Sequence, residues 1–327
     1  MFFRKLQSRE PIFRRTRTGR DIMEFNQLEY VVEVADTGSF SKAAEHLFYS
    51  QPALTQQIIK LEKELGVQLF HRSHGNVTLT EAGTVFVKYA HSILLNKNDA
   101  LSVMNDFSQN QTGSLSVLLP MERGTEIMTA IFPDFHRKFP HITMNAIQTS
   151  VHRQLNRIIR GAADLGFVLL PDHSELNGIA YHALTEEQFL FAVSRENPLS
   201  QGAAAGSTAL ADLSVCDCSQ LSQASYILTS PFTSSNKMIL NYLAELGITP
   251  NVILHVNANQ SILELIRNNV ACSILPAWYR SFDDEIAYFQ LPQKLSWSMY
   301  AIWKKGYYRT NASFLTENLI MNYLSKK

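Results

Sequence analysis

The chain has 327 residues, of which 46% are hydrophobic, and its 29 basic and 29 acidic side chains give no net charge at neutral pH. This length predicts two or three domains with ample apolar core. The equal numbers of basic and acidic side chains give the chain no overall positive charge that would attract a polyanion. Residues 1–35 contain no long apolar run, so we expect neither a secretory signal nor a membrane span there. Three cysteines suit a reducing cytoplasm.

The first 22 residues are strongly basic. They carry seven basic and two acidic side chains, a net charge of +5, although the whole chain is neutral. Three interpretations fit this segment: a basic arm that touches a nucleic-acid backbone, an Arg-rich organellar transit peptide, or translation from a start codon upstream of Met23. We therefore treat residues 1–22 as an extension of the predicted folded part.

Residues 38–83 predict two short helices joined by a turn and followed by a hairpin. The first helix covers Lys42–Leu47, with Ser41 as its cap, and Phe48-Tyr49 makes the turn. In the second helix, Ser50 is the cap, Pro52 lies in the first turn, where a missing N–H costs nothing, and Gly66 ends the helix. This order is typical of a helix-turn-helix, whose second helix enters the major groove of DNA.

The predicted second helix has an apolar and a polar face. Its apolar face consists of side chains at helical spacing, namely Leu54, Ile58, Leu61 and Leu65. Pro52, Thr55, Gln56 and Lys63 point the other way, and Gln51 lies at the helix tip. Glutamine can bond an adenine edge, and threonine can contact thymine through its methyl group. A solvated amphipathic helix is the alternative, but the preceding helix, the caps and the hairpin favour DNA reading.

The segment GSFSKAAEHLFYSQPALTQQIIKLEKELGVQLFHR resembles the winged helix-turn-helix of LysR-type transcriptional regulators, a bacterial family. The match is long and ungapped, extends through LTEAG and continues more weakly to the C-terminus. Gln56 and Gln57 stand where many members carry arginine, which argues against a specific guanine contact. The sequence from Met23 to Leu28 resembles the usual beginning of the family and favours the upstream start codon.

The hairpin is strand-like over Gln68–Arg72 and Val77–Leu79. By the resemblance it is the wing, with Arg72 near phosphate or the minor groove; the alternative is a surface cation on an edge strand. Together the pattern and the resemblance imply DNA contacts from nine residues: Ser41, Lys42, Ser50, Gln51, Pro52, Thr55, Gln56, Lys60 and Arg72. Residues 23–80, the predicted DNA-binding domain, carry four basic and seven acidic side chains, a net charge of −3. One such module should bind DNA weakly, so useful affinity needs several copies on one DNA.

A long helix over Thr80–Phe107 could supply those copies. Phe86, Ile93, Ala100 and Phe107 repeat at seven, with Ala90, Lys97 and Met104 in the intervening row. Such a heptad pattern predicts pairing with a second copy, in which Lys97 either fixes the register or extends to solvent. By the resemblance, residues 81–109 form a linker helix used for dimerisation within a homodimer or homotetramer.

Strands and helices alternate after residue 113, first in one half and then in a second. The pattern predicts these elements: strands at Ser114–Leu119, Ile142–Gln148, Asp164–Leu170, Gln188–Val193, Tyr226–Leu228, Val252–Val256, Ala271–Leu275 and Trp297–Trp303, and helices at Glu126–Phe139, Val151–Arg160, Ser235–Leu246, Ser261–Asn268 and Asn311–Leu324. A mostly parallel sheet covered on both faces follows.

The two similar α/β lobes resemble a periplasmic-binding-protein fold, which in the LysR-type family is the effector-binding domain. The predicted fold class is therefore α/β, with an N-terminal winged helix-turn-helix, a long linker helix and a C-terminal two-lobed periplasmic-binding-protein-like domain. We expect the effector-binding domain to span residues 110–327, with lobe I at 110–192 and 297–327 and lobe II at 193–296.

In such domains a ligand lies at the carboxyl ends of the strands, where helix N-termini also point. The candidate effector residues at these ends are Pro120, Met121, Glu122, Thr149, Ser150, Leu170, Phe232, Thr233 and Asn257. Hydroxyls and free N–H groups at Thr149 and Ser150 predict a small anion or zwitterion, and Glu122 favours a ligand with an amine. Helix capping by Ser150 and Thr233 without any ligand is the alternative.

Enzyme chemistry has little support, because the chain contains no GxSxG, HExxH, GxxxxGK[ST] or GxGxxG motif. We expect no cofactor and no metal. Cys272 lies in an apolar strand, whereas Cys216 and Cys218 could sense oxidant, although a CxC without further ligands is a weak signal. The predicted partners are double-stranded promoter DNA, a small-molecule effector, further copies of the chain and, as a further candidate, RNA polymerase, with no membrane. A solute-binding protein without DNA function is the main rival.

Overall fold

The computed structural model describes residues 23–73, 76–107, 112–204, 209–280 and 284–326. The chain divides into two compact units, Met1–Met104 and Asn105–Lys327. The basic segment 1–22 lies outside the described residues. Among the residues described, no helix combines the length and the apolar character needed to cross a membrane.

The first unit packs three helices and a hairpin around one core. Its elements are α1 (Phe25–Thr37), α2 (Phe40–His46), α3 (Gln51–Leu65), β1 (Phe70–Ser73) and β2 (Asn76–Leu79), followed by α4 (Glu81–Phe107). The predicted apolar face of the second helix is confirmed, since Leu54, Ile58 and Leu61 are buried with Val31 and Val34 of α1. Helix α1 was not among the predicted elements.

Two capping predictions for the helix-turn-helix have different outcomes. Ser50 caps α3, as predicted, by accepting a 3.3 Å hydrogen bond from the amide of Ala53, and Gly66 ends the helix in the left-handed region at φ 72°. The prediction of Ser41 as the first cap is wrong. Ser39 caps α2 instead, and the helix starts at Phe40, whose ring packs edge-on against Phe70 at 5.8 Å in the core.

The long helix α4 is fixed to the hairpin at its start. The Thr80 hydroxyl accepts a hydrogen bond from the amide of Gly83 at 2.9 Å, and a Cβ at Gly83 would overlap the carbonyl oxygen of Leu69. Only glycine therefore permits this close approach between the helix and the backbone of the residue that precedes β1.

Some side chains of the predicted α4 heptad pack within the first unit, and others stay exposed. Ala90 is buried and Phe86 packs on the core of the first unit. Lys97 bonds Glu29 at 3.0 Å and lies 5.2 Å from the ring centroid of Phe25, so it contacts its own unit instead of extending freely to solvent. Its predicted role in setting the register with a second copy stays a prediction. The apolar side chains that α4 leaves exposed are Val85, Tyr89, Leu101, Met104 and Phe107.

The second unit consists of two α/β lobes. Its strands are β3 (Gly113–Leu119), β4 (Ile142–Gln148), β5 (Leu165–Leu170), β6 (Ile179–Ser194), β7 (Ser225–Thr229), β8 (Asn251–Val256), β9 (Ser273–Pro276), β10 (Ile286–Gln290) and β11 (Ser296–Lys304). Its helices are α5 (Gly124–Lys138), α6 (Val151–Arg160), α7 (Cys218–Gln223), α8 (Ser234–Glu245), α9 (Asn259–Arg267) and α10 (Asn311–Leu324). The first lobe holds β3–β5, α5, α6 and α10, and the second holds β7–β10 and α7–α9.

The main sheet has the order β10-β6-β11-β5-β3-β4, with β9 also on β6. The prediction of a mostly parallel sheet is wrong for this sheet. Strand β3 is parallel to β4 and β5, but β11 is antiparallel to β5 and β6, and β6 is antiparallel to β9 and β10. The chain runs back from the second lobe into the first along β11, which therefore lies antiparallel to β5 and β6.

Strand β6 connects the lobes. It is 16 residues long, whereas the sequence predicted only Gln188–Val193. Its first part pairs with β11 and its last part with β10 and β9, so one strand runs through both lobes. The earlier part escaped prediction because its side chains are mostly exposed or half-buried and form no apolar run. A single large core cluster continues from β3 and β5 to β7 and α8.

Candidate functional site

The N-termini of α2 and α3 present one polar surface in the first unit. Seven of the predicted DNA-binding residues are exposed there or along α3: Ser41, Lys42, Ser50, Gln51, Pro52, Gln56 and Lys60. The Ser41 hydroxyl donates to the side-chain oxygen of Gln51 at 2.9 Å, which joins the two helix starts. Thr55 is half-buried, and its hydroxyl donates to the carbonyl of Gln51 at 2.8 Å.

The wing is a two-stranded antiparallel hairpin in which the backbone of Arg72 lies opposite Val77. The side chain of Arg72 lies outside the described residues, so its predicted contact stays a prediction.

A buried carboxylate connects α3 to the wing. Glu62 is only 9% exposed, and its Oε1 accepts hydrogen bonds from the amides of Leu69 at 2.8 Å and Phe70 at 3.2 Å. Sequence reasoning counted Glu62 only as a negative charge. One feature of the sequence indicates this role: Glu62 directly follows Leu61 and therefore lies at the border of the apolar face of α3.

Three acidic side chains of the DNA-binding unit are thus engaged within the unit. Glu62 binds the backbone before the wing, Glu29 binds Lys97, and Glu33 lies 2.7 Å from Nδ1 of His46. Lys97, which lies outside residues 23–80, offsets one of the negative charges counted from the sequence.

The second candidate site lies at the carboxyl ends of the strands. Met121 and Glu122 are exposed and Pro120 is half-buried after β3, while Thr149 is buried and Ser150 exposed after β4. Leu170 is fully buried in the core beside Leu118 and Ile158 and offers no side-chain surface to a ligand.

In the second lobe, Phe232 is 92% exposed and Asn257 is exposed. Thr233 caps α8 by accepting from the amide of Asn236 at 3.2 Å, as the capping alternative predicted. That alternative is wrong for Ser150, whose side chain makes no capping hydrogen bond at the start of α6.

Glu122 bridges the lobes. Its carboxylate accepts from the backbone amide of Asn259 at 2.9 Å and from the side-chain amide of Asn259 at 3.1 and 3.2 Å. Asn259 begins α9, and the residue at its N-cap, Ala258, supplies no side-chain cap. A carboxylate of the first lobe therefore serves as the anion at the start of a second-lobe helix. Sequence reasoning selected Asn257 and missed Asn259, because the pairing joins residues 137 positions apart.

Arg123, next to Glu122, forms a buried ion pair that sequence reasoning also missed. Its guanidinium is 3% exposed and bonds Glu187 of β6 at 2.8 and 3.1 Å. The rings of Trp278, Tyr279 and Trp297 lie 4.8, 5.2 and 5.6 Å from the guanidinium carbon. Burial raises the pKa of the Tyr279 hydroxyl to about 12, so it is neutral at physiological pH.

The two buried thiols, Cys216 and Cys272, are not activated nucleophiles. Cys216 is buried, Cys218 is exposed, and both are free. Burial raises the pKa of Cys216 and that of Cys272 to about 12, and a thiol rather than a reactive thiolate persists at neutral pH. These shifts argue against a redox role for Cys216.

A helix-turn-helix with a wing in one unit and two α/β lobes in the other define a DNA-binding regulator with a ligand-responsive domain. Two family models match: the bacterial regulatory helix-turn-helix protein, lysR family, over residues 25–84, and the LysR substrate binding domain over residues 108–315. The chain belongs to the LysR family of transcriptional regulators. It is a transcriptional regulator rather than an enzyme, and a solute-binding protein without DNA function is excluded.

Relatives and solved structures agree with this assignment. The chain is 29% identical over 294 residues to the uncharacterized HTH-type transcriptional regulator YcgK of Bacillus subtilis, covering 88% of this chain and 90% of that protein. It is 23% identical to the regulator AlsR of the same organism, over 91% of this chain and 94% of that protein.

Among solved structures, a full-length OxyR variant from Pseudomonas aeruginosa superposes with a TM-score of 0.69 at 20% identity, covering 92% of this chain and 95% of that chain. CbnR complexed with its target DNA superposes with a TM-score of 0.54 at 24% identity, covering 92% of this chain and 99% of that chain. At these identities the likeness shows the fold.

The role of Glu62 is directly testable. Glu62→Ala leaves two buried amides without an acceptor and should lower the free energy of unfolding of the first unit by about 1–3 kcal/mol. Thermal and urea denaturation measure the loss. Glu64→Ala, which removes only an exposed carboxylate 3.9 Å from Lys60, is the matched control and should change stability by less than about 0.5 kcal/mol. Equal effects of the two substitutions would contradict the assignment.

Proposed function

We propose that this regulator reads its operator through the polar surface at the starts of α2 and α3. The observation that carries the proposal is the 2.9 Å hydrogen bond between Ser41 and Gln51, which joins both helix starts on one exposed face. Gln51, Thr55 and Gln56 face base edges, while Ser41, Lys42, Ser50, Pro52 and Lys60 border the backbone. Arg72 on the wing completes the proposed set.

The base-reading assignment makes a quantitative prediction. Thr55→Ala together with Gln56→Ala should cost about 1–3 kcal/mol per lost base contact and loosen specificity, because Gln56 can bond a base edge and Thr55 can contact one through its methyl group. Fluorescence anisotropy with the native promoter and a scrambled duplex, at one fixed salt concentration, measures both effects. Thr129→Ala with Gln260→Ala changes the same residue types on exposed sites of the second unit and serves as control. An unchanged affinity ratio and footprint would refute the assignment.

We propose that the regulator acts as a homodimer or homotetramer in which α4 contributes an interface. LysR regulators form oligomers, and two observations support this role for α4. The DNA-binding unit has excess negative charge by sequence, so one copy binds DNA weakly. In addition, α4 exposes Val85, Tyr89, Leu101 and Met104, at 54%, 64%, 54% and 60% of their surface. Burying these side chains between copies removes apolar area from water.

Charges placed among these side chains should separate the copies. Leu101→Asp with Met104→Asp should shift the oligomer to a smaller species and weaken operator binding by at least about tenfold, because bivalent binding is lost. Light scattering after size exclusion reports the mass, and anisotropy reports the affinity. Thr84→Asp with Asn98→Asp adds the same charge at exposed polar positions on the side of α4 opposite Tyr89 and Met104 and serves as a control. A smaller species that keeps full affinity would overturn the role of α4.

We further propose that the effector is a small anion or zwitterion bound between the lobes at Pro120, Met121, Glu122, Thr149, Ser150, Leu170, Phe232, Thr233 and Asn257. The start of α6 supports this, because the side chain of Ser150 does not cap it and its amides are available. Glu122 supports it as well, since its carboxylate on Asn259 demonstrates that the start of α9 accepts an anion. The backbone after β5, rather than the buried side chain of Leu170, would form that part of the cleft.

We also propose that the protein acts in the cytoplasm, where its promoter DNA is found, and that it contacts RNA polymerase when it controls transcription.

The effector cleft has its own test. Thr149→Val with Ser150→Ala should abolish the response to the inducer while operator binding in its absence remains, because only the hydroxyls beside α6 are removed. A promoter–reporter assay with the inducing compound measures the response, and anisotropy measures operator binding. Ser114→Ala, at an exposed hydroxyl at the opposite end of β3, is the control. A normal response in the double variant would place the pocket elsewhere.

A further inference from the structure

A cavity of about 430 Å³ opens in the second unit beside the crossing strand β6. This volume is in the range of small-molecule sites. Thr185–Gln188 of β6 contribute to its lining, Leu324 comes from the first lobe, and Ala277 and Trp278 come from the second. None of the nine candidate effector residues lines this cavity, so it is a different place from the proposed effector cleft.

One wall of the cavity is rigid and electrically balanced. Glu187 accepts from both Nη atoms of Arg123, from the backbone amide of Trp278 at 2.6 Å and from the indole Nε1 of Trp297 at 2.6 Å. Each carboxylate oxygen therefore already has two donors, and the charge of Arg123 is cancelled. This wall shapes the cavity but leaves no carboxylate oxygen of Glu187 for a ligand.

The rim carries a different kind of ion pair. Nζ of Lys294 lies 2.7 Å from Oε1 of Glu186, with 59% and 52% of the two side chains exposed. The hydrogen bonds from Lys294 and then from Ser296 lower the pKa of Glu186, so its carboxylate is ionised at neutral pH. Exposed pairs of this kind contribute little to stability, so their partners can be exchanged at low cost. Arg280 adds a second cation to the lining.

A zwitterion is the ligand that can exchange with this pair without changing the net charge of the site. Its carboxylate would bind Lys294 and its ammonium would bind Glu186. The remaining wall is apolar and consists of Leu210, Ala277, Leu324 and the ring of Trp278. A ligand that satisfies both parts has a charged amino and carboxyl end and an apolar body.

We propose that the cavity beside β6 is a second ligand site of this regulator, which binds an α-amino acid with an apolar side chain. The lining comes from both lobes and from the strand that connects them, so a bound amino acid holds the lobes in one relative position. This proposal extends the proposed function, since the amino acid then acts together with the effector in the cleft.

Isothermal titration of the full chain with L-leucine, L-methionine and L-phenylalanine tests the proposal. At least one should bind with a stoichiometry of one per chain. Its deaminated acid and its decarboxylated amine should each bind about tenfold or more weakly, because each loses one charge-assisted contact. Absence of binding by all three amino acids, or equal binding of the acid or the amine, would overturn the proposal.

Variants locate the site. Lys294→Met should weaken amino-acid binding about tenfold or more, and Ala277→Leu, which fills the cavity, should abolish it. Lys305→Met removes an exposed lysine outside the cavity and should leave binding unchanged. If Ala277→Leu does not fold, as judged by its melting temperature, the surface variant Lys294→Met decides alone.

The cleft variant Thr149→Val with Ser150→Ala separates the two sites. It should retain amino-acid binding if the cavity is the site, and loss of binding in this variant would assign the amino acid to the cleft and refute the second site. Titration without DNA is independent of operator binding, which is measured separately on the wild type. A failed amino-acid titration is therefore distinguishable from a failure of the proposed DNA-reading function.

Discussion

The buried ion pair between Arg123 and Glu187 holds the second unit together at the point where its lobes meet. Arg123 precedes α5, Glu187 lies on β6, and the other donors to this carboxylate come from Trp278 in the second lobe and Trp297 on β11. Removing one partner of such a pair costs about 3–5 kcal/mol, because the other charge stays buried without compensation. The three aromatic rings around Arg123 exclude water and fix its position. Both partners of this pair line the cavity beside β6, and Arg123 directly follows Glu122, which binds Asn259 of the second lobe.

Carboxylates that bind backbone amides recur through the molecule. Glu62 binds the amides of Leu69 and Phe70, Glu122 binds that of Asn259, and Glu187 binds that of Trp278. Each contact joins two structural elements, over 7 or 8 positions for Glu62, 137 for Glu122 and 91 for Glu187. A charged acceptor makes such hydrogen bonds stronger than neutral ones. In the DNA-binding unit, Glu62 therefore stabilises the packing of α3 against the start of the wing.

The two units divide the work of a LysR-family regulator. The first presents a polar surface at two helix starts, and the second offers a cleft that Glu122 already spans by binding Asn259. A ligand that binds in the cleft acts on the same lobes that β6 and β11 connect. A ligand can shift the relative position of the lobes only to the extent that it binds one arrangement better than another.

The sequence by itself determined the local features of this protein. Helices α6 and α10 have the predicted bounds, and Ser50, Gly66 and the apolar face of α3 have their predicted roles, because caps and periodicity act within a few residues. Only the tertiary structure decided the rest. Ser39 rather than Ser41 caps α2, because Phe40 packs on Phe70. One position of the α4 heptad contacts the first unit, because Lys97 binds Glu29. Strand β6 is long because β11 pairs with it. The tertiary structure also decided the contacts of Asn259 and Arg123 and the lining of the cavity. The residues involved are far apart along the chain, and only the packing of the completed fold brings them together.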